Sequence, residues 1–182
     1  MVRTVSYSTL LATAFAFAVW TLPGDAAEPV RTCADEAITL QTLSWDDAQP
    51  VIAAHPGKIV LVDIWTTTCP TCVEHFPDVV KLHEELSDRG LVCISVNCDH
   101  DGVPGKPPGY YAPRVLEFLK RHHASLTNLL LTDPLVEFLD AAGIEATPTY
   151  RLYGPDGKLL REFDGSTEEF TFDQVAQAVK SA

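Results

Sequence analysis

The sequence predicts an α/β fold with a central mixed β-sheet flanked by helices, and three observations carry that reading. An aliphatic run from Ile59 to Trp65 is followed by a helical pattern from Val73 to Leu86. A second aliphatic run, Leu91 to Val96, comes directly after it. Unbroken β-branched and aliphatic runs suit strands covered on both faces, and strand-helix-strand succession is the unit of a right-handed parallel crossover. With 182 residues, 46% of them hydrophobic and 21% charged, the chain is long enough for one domain with its own core.

Residues 1–26 read as a secretory signal peptide. Arg3 gives a positive start, Leu10 to Trp20 is an uncharged apolar run, and Pro23, Gly24, Ala26 and Ala27 follow. The run falls short of the ~20 apolar residues of a spanning helix, so cleavage after Ala26 is expected, leaving no membrane span. Residues 27–39 are expected to form an extension and residues 40–182 the folded domain.

Within that domain the stretch up to Leu43 reads as a short edge strand. Ser44 caps the next helix, with Asp46 and Asp47 in the first turn where the helix dipole favours acid, and Pro56-Gly57-Lys58 ends it. The two aliphatic strands and the helix between them follow, the helix closed by Gly90. Asn97 to Pro113, rich in Gly and Pro, is expected to be a long surface loop. Arg114 to His123 then reads as a helix, Leu129 to Leu131 as a strand, and Pro134 to Ala142 as a helix closed by Gly143. A hairpin is predicted from Thr149–Tyr153, the turn Gly154-Pro155-Asp156-Gly157 and Lys158–Phe163, and Phe172 to Val179 closes the chain as an amphipathic helix.

The net charge of −12 disfavours nucleic acid and anionic membrane surfaces, so small molecules or other proteins are the expected partners, and a monomer is expected. Export would put the five cysteines, Cys33, Cys69, Cys72, Cys93 and Cys98, where disulfides persist. An odd count leaves at least one thiol free or paired outside the chain.

Cys69 and Cys72 flank Pro70-Thr71 between the first aliphatic strand and its helix. A thiolate at a helix N-terminus is stabilised by backbone N–H groups and the dipole, so Cys69 is the candidate nucleophile. Cys72, one turn on, lies within reach to resolve a mixed disulfide. Pro70 suits the first helical turn, where its missing N–H is not needed. Spacing alone leaves zinc open. Zinc takes four ligands, and the other cysteine pair, Cys93 and Cys98, has Cys93 inside an apolar strand.

Around these residues, "VDIWTTTCPTCVEHFP" resembles the active-site segment of the thioredoxin superfamily. Asp63 stands where many members have a buried acid, Trp65 where they have a tryptophan, and Pro77 where they have the proline inside the active-site helix. "EATPTY" at Glu145–Tyr150, followed by the hairpin, is similar to the cis-proline segment. The likeness spans residues 40–182. With the leader, the extra helix and strand between Asn97 and Pro134, and Thr147-Pro148-Thr149, it is nearest the TlpA/ResA-like branch.

The resemblance implies a thioredoxin-like fold with a βα-type insertion before the cis-proline hairpin. It implies an exported thiol-disulfide oxidoreductase, periplasmic or extracytoplasmic, that reduces particular protein disulfides, as in apocytochrome c maturation. Such a protein depends on an upstream thiol donor and needs no cofactor and no metal. Cys69 would attack, Cys72 resolve, and Asp63, buried with a raised pKa, would handle the proton of Cys72. Pro148 would be cis and face Cys69, Thr147 would offer its backbone to the substrate, and Trp65 would complete that region by packing under the loop.

Three departures from the family pattern concern Thr68, where a second tryptophan is usual, Pro70-Thr71, where Gly-Pro is common, and Ser95, where a lysine often faces the acid. Two further readings stand beside the leading one. One is a thiol peroxidase on the same fold; the other is a copper metallochaperone using Cys69, Cys72 and a histidine such as His75 or His100. Cys98 and His100 are expected to emerge at the same sheet edge as the dithiol, and Cys33 either pairs with Cys98 or stays free.

Overall fold

The computed structural model describes residues 38–182, so the leader, Cys33 and nearly all of the extension at 27–39 lie outside the described residues. The elements run β1 (Gln41–Leu43), α1 (Trp45–Ala53), β2 (Ile59–Trp65), α2 (Pro70–Leu86), β3 (Leu91–Asn97) and α3 (Pro108–Arg121). They continue with β4 (Thr127–Leu131), α4 (Leu135–Ala142), β5 (Thr149–Tyr153), β6 (Leu159–Asp164) and α5 (Phe172–Ser181). The strands form one mixed sheet in the order β1-β4-β3-β2-β5-β6. β1, β4, β3 and β2 are parallel, while β5 runs antiparallel to β2 and to β6.

Local signals account for most boundaries. The Ser44 hydroxyl accepts the Asp47 N–H at 3.1 Å and caps α1, an interaction worth about 1 kcal/mol. Gly90 and Gly143 take left-handed conformations, with φ of 99° and 65°, where the chain leaves α2 and its short 3-10 extension, and α4. One element departs from expectation. α3 begins at Pro108, inside the segment read as a loop, because Pro108 occupies the first helical turn and Pro113 is tolerated inside the helix. The prolines that looked like loop residues therefore belong to the start of a helix.

Alternation along the strands sorts the core into two clusters, one on each face of the sheet. Leu61 and Trp65 of β2 join Cys72, Phe76 and Val79 of α2, Val115 and Leu119 of α3 and Val175 of α5. Val60, Val62 and Ile64 of the same strand face α1 and α4 with Trp45, Ala48 and Phe138. Asp63, between Leu61 and Trp65, falls on the α2 side. Among the described residues, no helix is long and apolar enough to cross a membrane.

Candidate active site

β2 ends at Trp65 and α2 starts at Pro70, so Thr66–Cys69 is a short bridge at the C-terminal edge of the parallel strands, where α/β folds present reactive groups. Cys69 is the N-cap of α2 with extended backbone, and its Sγ accepts the Cys72 N–H at 3.1 Å. Cys69 and Cys72 are joined as a disulfide. The two sulfurs differ in access: Cys69 is half-buried, whereas Cys72 is 2% exposed and packs into the core.

Two more predicted residues, Thr147 and Pro148, come together here. The Thr147–Pro148 peptide is cis, and the Thr147 carbonyl oxygen lies 3.4 Å from Cys69 Sγ. Gly165, at the end of β6, donates its N–H to the Pro148 carbonyl at 2.8 Å. A Cβ on Gly165 would lie 2.6 Å from Pro148 Cγ, so the cis-proline loop leaves that position no side chain. Sequence reasoning missed Gly165, because nothing local marks a glycine whose partner lies in another loop.

Asp63 is 2% exposed and its Oδ1 finds no hydrogen-bond partner among the described residues. Burial raises its pKa from the ordinary carboxylate range to about 8. Ser95, which stands where the family often has a lysine, is its register partner on β3. The Ser95 hydroxyl instead accepts the Trp65 indole N–H at 2.7 Å, and no salt bridge of the described residues includes Asp63.

Trp65 has 0% exposure and rests on Phe76 and Phe118, with ring centroids 4.7 and 4.8 Å away. The enclosed ring packs under the turn.

Among the described residues, Cys93, Cys98, His75 and His100 form no metal-type cluster with the dithiol. Cys98 does lie past the end of β3, but alternation turns its side chain to the α1 and α4 side, where it is fully buried and its thiol reaches the Trp65 carbonyl at 3.3 Å. Cys93 is also buried and free, and desolvation pushes both thiols up, away from the reactive thiolate. His100 Nδ1 is 2.7 Å from the Thr132 carbonyl. His75 sits between Phe170 and Phe172, with Nδ1 3.2 Å from Asp78. Among the described residues no three His, Cys, Asp or Glu side chains gather as a metal site.

Asp99 was also missed. It follows β3 and its carboxylate accepts the backbone N–H and hydroxyl of Thr67 at 2.7 and 2.5 Å, tying the bridge before Cys69 to the end of β3. The acid was hidden in a segment whose Gly and Pro content reads as loop.

The Redoxin family model matches residues 24–179. The thiol-disulfide oxidoreductase ResA of Halalkalibacterium halodurans is 26% identical over 124 residues, 68% of this chain and 64% of that protein. ResA of Bacillus subtilis is 25% identical, covering 68% and 63%. The match thus spans just under two thirds of these relatives' own length. Among solved structures, a secreted Mycobacterium tuberculosis disulfide oxidoreductase homologous to E. coli DsbE superposes with a TM-score of 0.55 at 17% identity, covering 71% of this chain and 86% of that one. The thioredoxin domain of a Bacteroides vulgatus thiol-disulfide oxidoreductase gives 0.53 at 22%, covering 70% and 81%. These likenesses establish the thioredoxin-like fold.

Proposed function

The chain belongs to the Redoxin family, and from that premise we propose that it is an exported thiol-disulfide oxidoreductase that reduces protein disulfides through Cys69 and Cys72. The observation that carries this reading is the pairing of an accessible sulfur, capping a helix and accepting the Cys72 N–H at 3.1 Å, with a sheltered sulfur one turn away. The ResA relatives support it. Export rests on the leader pattern of residues 1–26, and a monomer is proposed with it.

In the reduced protein the Cys69 thiolate attacks one sulfur of a substrate disulfide. A Cys69-substrate disulfide forms and the other substrate sulfur leaves as a thiolate. Cys72 gives its proton to the Asp63 carboxylate and attacks Cys69 Sγ. This expels the second substrate thiolate and leaves the Cys69–Cys72 disulfide, so two electrons have passed to the substrate. A carboxyl titrating near 8 is matched to that task, because it takes and returns a proton near neutral pH. The Thr147 carbonyl beside Cys69 offers an acceptor to the backbone of an extended substrate segment. An external dithiol donor then restores the reduced pair.

The test is equilibration of the pair with glutathione or dithiothreitol buffers. A potential near about −270 mV, the thioredoxin value, is expected of a reductant, whereas one near about −120 mV, that of the strong oxidant DsbA, reverses the proposed direction. A pair that does not cycle rejects the activity.

A further inference from the structure

We propose that Asp99 is the positioning residue of the dithiol bridge, holding Thr66–Cys69 against β3 and α3 so that Cys69 Sγ stays under the Cys72 N–H. The inference rests on the reading of Cys69 as the nucleophile and adds a residue that never touches the reacting sulfurs.

The Asp99 side chain has no exposed surface, and its carboxylate meets four donors. They are the Thr67 N–H at 2.7 Å, the Thr67 hydroxyl at 2.5 Å, the Arg114 guanidinium at 2.7 Å and the Asn97 side-chain amide at 3.3 Å. The Asp99 N–H in turn donates to Asn97 Oδ1 at 3.0 Å. A buried carboxylate is costly unless it is paired and hydrogen-bonded, and this one is fully partnered. Its partners come from the bridge, from the end of β3 and from α3, which brings the insertion helix to bear on the site.

The bridge's own bonds are weaker. Cys69 N–H reaches the Thr66 carbonyl at 3.4 Å, and the Thr66 and Thr68 hydroxyls are 3.3 Å apart. The two Thr67 bonds to Asp99 are the short ones, two residues before the sulfur whose placement decides whether it receives the Cys72 N–H. Charge-assisted bonds from backbone N–H and hydroxyl to carboxylate are among the stronger fixings available to a loop.

Position and charge predict opposite signs, which makes the idea testable. If Asp99 acted only as a charge, removing it would free the Arg114 cation to stabilise a nearby thiolate and lower the pH midpoint of Cys69 alkylation. If Asp99 positions the bridge, removing it weakens the N–H to sulfur bond and raises that midpoint.

The experiment reads iodoacetamide alkylation of Cys69 in the reduced full-length chain against pH, by mass spectrometry of its peptide. Asp99→Ala is expected to raise the midpoint and to lower the rate below it on the order of ten-fold, one pH unit corresponding to a factor of ten. Thr67→Val keeps every charge and removes only the hydroxyl bond; it is expected to shift the midpoint the same way by less. It decides alone if Asp99→Ala does not fold.

A low wild-type midpoint that the folded variants leave unchanged or lower overturns this inference and leaves the dithiol reading intact. A wild-type midpoint like that of an ordinary thiol overturns both.

Discussion

On the α1 and α4 side of the sheet, the inward positions of β2, β3 and β4 are Val, Ile and Leu, with Cys98 just beyond β3, and Phe138 and Trp45 fill the layer above them. On the α2 side the same strands contribute Leu61, Trp65, Cys93 and Leu130. The positions between them hold Asp63, Ser95 and Asn128, which lie in one register row across β2, β3 and β4, with Tyr150 of β5 continuing it. Across β2, β3 and β4 the first face is an apolar support. The other carries a row of buried polar groups, two of them with an oxygen that finds no partner among the described residues, Asp63 Oδ1 and Asn128 Oδ1. Such groups cost stability and persist where their chemistry is used. The contrast teaches that strand alternation separates holding from reacting within a single sheet.

The widest gap between the faces is expected at the sulfurs. Cys69→Ser should abolish disulfide reduction with folding intact, while Cys72→Ser should retain attack and accumulate mixed disulfides with substrate, visible on non-reducing gels. Identical behaviour of the two would refute the assigned roles.

Next come paired truncations, Phe138→Ala on the supporting face and Phe76→Ala beside Trp65, both essentially unexposed. Each is expected to cost about 3–5 kcal/mol in urea unfolding. Only Phe76→Ala, which loosens α2 and the packing of Trp65, should also move the potential of the dithiol. A shift from Phe138→Ala of equal size would erase the distinction between the faces.

Asp63 supplies a pH signature of the reacting face. Its folded pKa near 8 exceeds the unfolded value of about 4, so the folded state holds a proton that the unfolded state has lost. Asp63 therefore contributes a stability that falls as pH rises from about 4 to about 8, by on the order of 4 kcal/mol at pH 7. Asp63→Asn should flatten that slope in chemical denaturation of the oxidised protein. A variant with the parent slope would assign the pH dependence to other groups.

Smaller effects bound the comparison. Gly165→Ala forces a Cβ against Pro148, and overpacking of this kind costs about 1–3 kcal/mol. Its effect should appear in KM for protein substrates, since the cis-proline loop must shift beside Cys69. Ser44→Ala, at the cap of α1 on the supporting face, should cost about 1 kcal/mol and leave turnover unchanged.

Much of the site could be read from residues close in sequence. Cys69, Cys72 and Asp63 lie within one strand-turn-helix segment, and the helix start that matters to Cys69 follows from local composition. The start of α3 could not be read so easily, because proline marks both loops and first helical turns, and packing of Tyr111 and Val115 decides between them. Trp65 shows the opposite limit: its position beside the dithiol was plain, but whether its ring lined the surface or the interior depended on α2 and α3 closing over it.

The sequence by itself determined the two aliphatic strands, the helix that follows Cys69 and the hairpin, because each depends on periodicity or on neighbours within a turn, whereas the spacing of Cys69 and Cys72 left a zinc site open beside a disulfide. Only the tertiary structure decided that no cation among the described residues pairs with Asp63, that Cys98 turns to the opposite face, that Gly165 backs Pro148 and that Asp99 grips Thr67. Those are contacts between residues far apart in the chain. They are fixed by strand register and by which helix covers which face, and neither is written in any local stretch.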